Sequence, residues 1–584
     1  MTLPALRSSV TACTLVAGLI FGALAANAAS PPPVEGQGGA VASDERLATN
    51  VGLDILRAGG NAVDAAVATA LAMAVVSPEA GNLGGGGFAV VRLPDSSENG
   101  AASGETLITL DFRETAPSAA TDNMFLDAEG KPVDERSRVG GLAVGTPGTP
   151  HGLHALHERY GTLPWAAVVE PARRFAGQGF PISRRLAAAL ENKRELLSRF
   201  PETASMWLPD GQALAAGTIV RQPALAATLS AYAQRGPAAI VEGPIADAIE
   251  EVTRRYGGVL KASDLAGYQP AWRPPVRFTM FGWQVASMDL PSSGGIVLGS
   301  SFYMLERLPW AAQPRFGSGR AHYLAEVWKR AYADRLLLGD PEHAQADAMK
   351  LLAPPWIAER ARTVSGGAAR SSWISPWPTA GLDRSTQESD ETTHISVIDA
   401  QGGAVALTTT LNGTFGSGLW VPEAGFFLNN EMDDFTAAPD SPNLYGLVQG
   451  EANAVRPGRR MLSSMTPTIA WRNGDLLAVG GRGGSRIPTA VHQVLLSLWV
   501  DGDGLQQAID RPRLHHQWLP DALRYEPDAL SPETRLSLQV RGHTLEPIAG
   551  VAQVHAVRLR DGRFESAADP RGGGGAAGVV EPLH

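Results

Sequence analysis

Two short β-type runs sit back to back late in the chain, and the first opens on a pair of threonines. Thr393 to Asp399 alternates as a strand, and Ala404 to Thr410 forms a second. Between them Asp399-Ala400-Gln401-Gly402-Gly403 is a tight turn, with glycines to supply positive φ. With the turn centred on Gln401, antiparallel pairing sets Thr392 opposite Thr410. The residues before Glu391-Thr392 read as a loop. This arrangement suits a precursor that cuts itself so that a threonine becomes a new N-terminus. A terminal threonine carries both a nucleophilic hydroxyl and, in its own α-amine of pKa roughly 8, a base. Read on its own, Thr408-Thr409-Thr410 is equally a β-rich strand with no chemical role.

The 584 residues can bury a large core, and length alone suggests two to four domains. Composition is that of a globular protein, 44% hydrophobic and 18% charged. A net charge of −10 without a basic stripe argues against nucleic acid as a partner. The N-terminus reads as a secretory signal over residues 1–28. Arg7 is the basic flank, Val10 to Ala26 the apolar run, and Ala26-Asn27-Ala28 the small-x-small cleavage site. An uncleaved membrane anchor is the competing reading. No second apolar stretch approaches the roughly 20 residues of a span. The only cysteine, Cys13, lies inside the signal, so the exported protein relies on its core and not on disulfides. The expected location is outside the cytoplasm, in a periplasm or the medium.

Gly59-Gly60-Asn61 followed by an apolar run from Ala62 reads as a loop entering a buried helix, with Asn61 as N-cap and Asp64 in the first turn. Asn82-Leu83-Gly84-Gly85-Gly86-Gly87-Phe88 precedes a short strand, Ala89 to Leu93. The four glycines lack the Lys-Ser or Lys-Thr of a phosphate-binding loop, so close backbone packing explains them better. Residues 150–350 read as mostly helical. Residues 364–391 form a polar, turn-rich stretch expected to be mobile.

Several segments together carry a resemblance: Gly59 to Ala66, Gly81 to Phe88, Asp111-Phe112-Arg113-Glu114, Gly145 to Thr149 and Pro291 to Gly295. Downstream come Thr392-Thr393-His394, Leu428 to Phe435, Ser463-Ser464-Met465 and Gly483-Gly484-Ser485-Arg486. In this order and spacing the chain resembles the gamma-glutamyltransferases (gamma-glutamyl transpeptidases) of the N-terminal-nucleophile hydrolase superfamily. The resemblance implies an α+β fold, a four-layer αββα sandwich with two antiparallel sheets between helices. It replaces the length-based domain count with one shared core. Self-cleavage between Glu391 and Thr392 would give a large subunit, 29–391, and a small catalytic subunit, 392–584, associated as a heterodimer.

The same resemblance implies roles. Thr392 matches the nucleophile, and Thr410 the threonine that supports it. Gly483 and Gly484 match the paired amides that stabilise the oxyanion. Arg113, Ser463 and Ser464 match the groups that hold the substrate α-carboxylate, where a guanidinium fork fits. Asp434, with Asn412 and Glu431, matches those that take its ammonium. Pro439 to Val455, with Tyr445, resembles a lid loop. The expected substrates are glutathione and other γ-glutamyl compounds, with water, amino acids or dipeptides as acceptors, and neither cofactor nor metal. The chain departs from the family at Gly481-Arg482, where a small residue and proline are usual. That change bears on loop stiffness or on local charge. His515-His516 invites a metal reading, but adjacent residues on a strand face opposite ways.

Two alternatives stay open. A glutaryl or cephalosporin acylase would use the same threonine on a dicarboxylate side chain, though Asp434 then has no ammonium to meet. An exported binding protein with a degenerate site would not need the Thr392, Arg113, Asp434 and Gly483-Gly484 set.

Overall fold

The computed structural model describes residues 31–94, 106–133, 135–342, 347–374, 392–436, 443–447 and 450–581. The signal-type N-terminus with Cys13, the segment 375–391 with Glu391, and parts of the lid stretch lie outside the described residues. Among the described residues no helix is long and apolar enough to cross a membrane.

The hairpin has the register expected from its turn. Thr392 pairs with Thr410, Thr393 with Thr409 and His394 with Thr408, through to Ile398 with Ala404. Gly402 turns the chain at φ 85°. Asp399 anchors the turn by accepting from the amides of Gln401 (3.0 Å) and Gly403 (2.8 Å). Its other oxygen accepts from the Ala62 amide (2.8 Å), the first residue of the helix Ala62–Val76. That helix has Asn61 as its expected N-cap, Asp64 completes a capping box with it, and every residue in the helix is buried.

Two seven-stranded antiparallel sheets form the centre. One runs Ala576–Val579, Gly39–Ser43, Thr392–Asp399, Ala404–Thr410, Gly86–Leu93, Thr106–Phe112, Ala271–Arg273. The other runs Val34–Gly36, Arg563–Ala568, Gln553–Arg560, Asp475–Arg482, Thr468–Arg472, Trp283–Ser287, Val276–Met280. Strand alternation sorts side chains between layers. Ile395, Val397, Val405 and Leu407 pack on the helices Arg46–Arg57 and Ala62–Val76. Ile398, Ala404 and Ala406 meet Ala478, Ile469 and Val557 of the second sheet. Leu477 and Val479 face outward onto the helices Gly294–Glu306 and Ile487–Trp499. The result is the four-layer αββα sandwich.

Two details differ from the sequence reading. The strand expected from Ala89 starts at Gly86, because Gly86 and Gly87 pair in register with Thr410 and Thr409. A Cβ on either would overlap neighbouring backbone, so the glycines extend the sheet as well as packing closely. The stretch 150–350 is helical only in part: Val276–Met280 and Trp283–Ser287 are strands at the edge of the second sheet. In Val276–Met280 buried and exposed residues alternate strictly, the period-2 signature.

Candidate active site

One pocket lies at the start of the Thr392–Asp399 strand and the end of the Ala404–Thr410 strand. It is lined by Arg113, Thr392, Thr410, Asn412, Glu431, Asp434, Tyr445, Ser463, Ser464 and Gly484, among others. All were singled out from the sequence. Gly483 adjoins the pocket as the neighbour of Gly484, and Glu391 is outside the described residues.

Thr392 begins its strand and is 3% exposed. Its register partner Thr410 accepts a hydrogen bond from the Asn412 amide (2.8 Å). The Asp475–Arg482 strand ends beside it in a glycine turn and leads into the helix Ile487–Trp499. Gly483 and Gly484 have φ of 127° and 54°, values that a side chain would strain. A Cβ on Gly484 would also overlap the Tyr445 ring. The strand–turn–helix places backbone amides and a helix N-terminus at the pocket, a setting that favours negative charge.

Arg113 is fully buried and fixed on several sides. Its Nε donates to Met461 O (3.3 Å), and its carbonyl accepts from the Tyr268 hydroxyl (2.8 Å). Its guanidinium donates to Glu431 Oε1 and to Asp434 Oδ2, the latter at 2.5 Å. Burial opposes the charge, but Glu431, Asp434 and Glu114 outweigh it and raise the pKa above the ordinary arginine value. Burial raises the pKa of Glu431 and Asp434, and Arg113 opposes it only in part. Asp434 is also held by Asn443 Nδ2 (2.7 Å).

Several buried polar atoms here have no hydrogen-bond partner: Asn412 Oδ1, Glu431 Oε2 and Ser464 Oγ. Two are acceptors and one is a hydroxyl, chemistry that an ammonium and a carboxylate would satisfy. Ser463 and Ser464 are positioned by the Pro291-Ser292-Ser293 motif. The Ser463 amide donates to Pro291 O (2.8 Å), and its carbonyl accepts from the Ser293 amide (2.9 Å) and hydroxyl (2.7 Å).

The described part of the lid stretch packs onto the site. Tyr445 donates its hydroxyl to Asn412 O (2.5 Å), and Tyr445 O accepts from Gln517 Nε2 (2.9 Å). Gln517 in turn accepts from His515 and from Ser485 Oγ (2.6 Å). His516 faces elsewhere, with Nε2 3.4 Å from Asp521 Oδ1. The adjacent pair therefore serves two separate structural contacts.

Two charged residues in or beside the pocket had no assigned role. Arg335 lines it and donates from Nε to Ser293 Oγ (2.9 Å). Burial lowers its pKa to about 10. Glu114 lies 3.8 Å from Arg113 Nη1, fully buried, with neither carboxyl oxygen hydrogen-bonded. Burial pushes its pKa up to about 7 against the pull of Arg113. Glu114 follows Arg113 in the motif, which was the available signal. Arg335 had none, since it lies in a stretch read only as mostly helical and outside every motif.

Comparisons with known proteins match nearly the whole chain. The gamma-glutamyltranspeptidase family model matches residues 48–579. The glutathione hydrolase proenzyme of Escherichia coli is 40% identical over 589 residues, covering 98% of each chain. That of Pseudomonas aeruginosa is 39% identical, covering 96% of this chain and 98% of its own. Helicobacter pylori gamma-glutamyltranspeptidase superposes with a TM-score of 0.55 at 35% identity, over 59% of this chain and 97% of its own. A cephalosporin acylase from Bacillus halodurans shares the fold, with a TM-score of 0.80 at 24% identity over 95% and 98% of the two chains. The chain belongs to the gamma-glutamyltranspeptidase family.

Proposed function

We propose that this protein is a self-processing γ-glutamyltransferase and glutathione hydrolase, with Thr392 as its nucleophile. The observation that carries the reading is the meeting, in one buried pocket, of Thr392 with both signs of charge and with unpartnered polar atoms suited to a glutamyl zwitterion. In the precursor the Thr392 hydroxyl attacks the Glu391 carbonyl. The peptide becomes an ester as its C–N bond breaks, which frees the Thr392 α-amine, and water then hydrolyses the ester to release the Thr392 hydroxyl and the Glu391 carboxylate. In the mature enzyme that amine takes the proton as Oγ attacks the γ-glutamyl amide carbon. The oxyanion develops against the Gly483 and Gly484 amides. Collapse expels the leaving amine, which receives the proton. The resulting ester passes its glutamyl group to water or to an amino acid or peptide amine. Arg113, Ser463 and Ser464 take the α-carboxylate; Asp434, Glu431 and Asn412 take the ammonium. The products 29–391 and 392–584 stay together as a heterodimer, exported after removal of residues 1–28.

A γ-glutamyl anilide and a glutaryl anilide, which lacks the ammonium, decide between this reading and an acylase. Omitting the ammonium leaves buried carboxylates unpaired, so kcat/KM should favour the γ-glutamyl compound by roughly a hundredfold or more. Equal rates would favour the acylase, and no turnover of either would favour a binding protein.

A further inference from the structure

Asp44 directly follows the strand Gly39–Ser43, which lies beside the Thr392 strand, and is wholly buried between charged and polar neighbours. Its Oδ2 accepts from Thr393 Oγ1 (2.7 Å) and from the His394 amide (3.0 Å). Its Oδ1 accepts from His555 Nε2 (3.0 Å) and lies 3.8 Å from Arg482 Nη1 and 3.6 Å from Arg185 Nη1. One carboxylate therefore accepts a hydrogen bond from the residue that follows Thr392 and stands at ion-pair distance from the residue that precedes Gly483. Arg185 also faces Glu79 (3.3 Å), so two acids, Asp44 and Glu79, stand against two guanidiniums in a buried cluster. Arg482 stands where the resemblance implies a proline.

A second, uncharged link runs alongside. The His394 ring lies against Gly480, where any Cβ would overlap it. Its nitrogens meet Thr408 Oγ1 (2.8 Å) and Ser396 Oγ (2.9 Å). Burial pushes its pKa down to about 3, so it is neutral.

We propose that Arg482 and Asp44 are positioning residues whose buried ion pair, bridging the two sheets, holds the Gly483-Gly484 turn against Thr392. A proline would stiffen that turn through its fixed φ; here the side-chain tether takes over the task. The inference rests on the oxyanion role proposed above for the two glycines. Burial opposes the Asp44 charge, but His555, Arg482 and Arg185 outweigh it and hold the carboxyl well below the usual range. The pair thus stays charged throughout the working pH range.

The test is a double-mutant cycle read by steady-state kinetics on a γ-glutamyl anilide, with L-glutamate as a competitive ligand of the ground-state contacts. Arg482→Gln and Asp44→Asn should each lower kcat about tenfold or more, because misplaced amides act on the transition state. KM and the glutamate inhibition constant should stay within about twofold. The double variant should lose no more than the worse single one, since its partners act as a unit. Arg482→Lys should keep kcat within about threefold by retaining the charge. Single losses that multiply in the double variant, or a loss shared by KM and glutamate binding, would overturn the proposal. So would an Arg482→Gln protein as fast as the parent. If Arg482→Gln does not fold, Arg482→Lys and Asp44→Asn decide: kcat kept by the first and lost by the second supports the pair, and any other pattern overturns it. A parent protein that leaves the anilide untouched refutes the proposed function itself, and so is told apart.

Discussion

Arg113 and Asp434, the two side chains assigned to opposite ends of the glutamyl zwitterion, hold each other: Arg113 Nη2 donates to Asp434 Oδ2 at 2.5 Å. Substrate entry therefore exchanges the Arg113–Asp434 pair for a contact of each side chain with the substrate, while Glu431 also faces Arg113. Removing one partner strips the other of a directly hydrogen-bonded counter-charge in a desolvated site. Asp434→Ala and Arg113→Lys should each cost on the order of 3 kcal/mol in kcat/KM on a γ-glutamyl anilide. Lysine fails because an ammonium cannot reproduce the guanidinium fork. An Asp434→Ala enzyme with the parental kcat/KM would remove Asp434 from the site.

Thr392→Ala should remain one chain of unprocessed length, because the attacking oxygen is gone. Intact mass spectrometry of parent and variant, side by side, reads both signal removal and the Glu391–Thr392 cut. Maturation of the variant at the same bond would refute self-cleavage.

Activity should rise along a basic limb at roughly pH 7–8, set by the Thr392 α-amine. Histidine is a poor candidate for that limb. Burial pushes His394 down to about 3, His515 well below its ordinary value and His516 below it too. Replacing His394, His515 and His516 in turn and recording kcat/KM against pH checks this. Loss of the limb with one histidine, in a folded and processed protein, would transfer the base role to that ring.

Glu114 should make stability depend on pH. Its pKa is raised from 4.5 to about 7, by burial first. Below 4.5 both the folded and unfolded states hold the proton. As pH rises toward 7 the unfolded state releases it first, so stability falls across that window, by on the order of 1–3 kcal/mol. Glu114→Gln should flatten the fall in a plot of Tm against pH. An unchanged slope in the variant would show that another group titrates there.

Gly484→Ala should abolish turnover while the chain still folds, since a Cβ meets the Tyr445 ring and φ is 54°. A Gly484→Ala protein with more than about a tenth of parental kcat would show that the turn tolerates a side chain.

The hairpin register was legible because alternation and a two-glycine turn leave one pairing that keeps Ile395 and Val397 on the helix side. The charge pocket was legible only through resemblance. Arg113 and Asp434 are remote in sequence and meet because Tyr268 and the Met461 carbonyl fix the arginine. Arg335 was not legible. The helix before it, Ser318–Asp334, carries Glu326, Lys329 and Arg330, which by charge alone belong in water yet are all buried in mutual ion pairs. The consequence of Arg482 was open for a related reason. The carboxylate it faces among the described residues, Asp44, comes from the opposite end of the chain, and the stacking of the two sheets brings them to 3.8 Å.

Strands from before and after position 391 are interleaved in both sheets. Gly39–Ser43 is clasped between Ala576–Val579 and Thr392–Asp399, Gly86–Leu93 lies on Ala404–Thr410, and Trp283–Ser287 lies on Thr468–Arg472. A single break before Thr392 would sever the covalent thread without opening any of these seams. The two pieces would be interlocked like the halves of a dovetail joint. Separating them would mean unzipping both sheets at once, so their dissociation should proceed no faster than global unfolding, and dilution alone should not drive it.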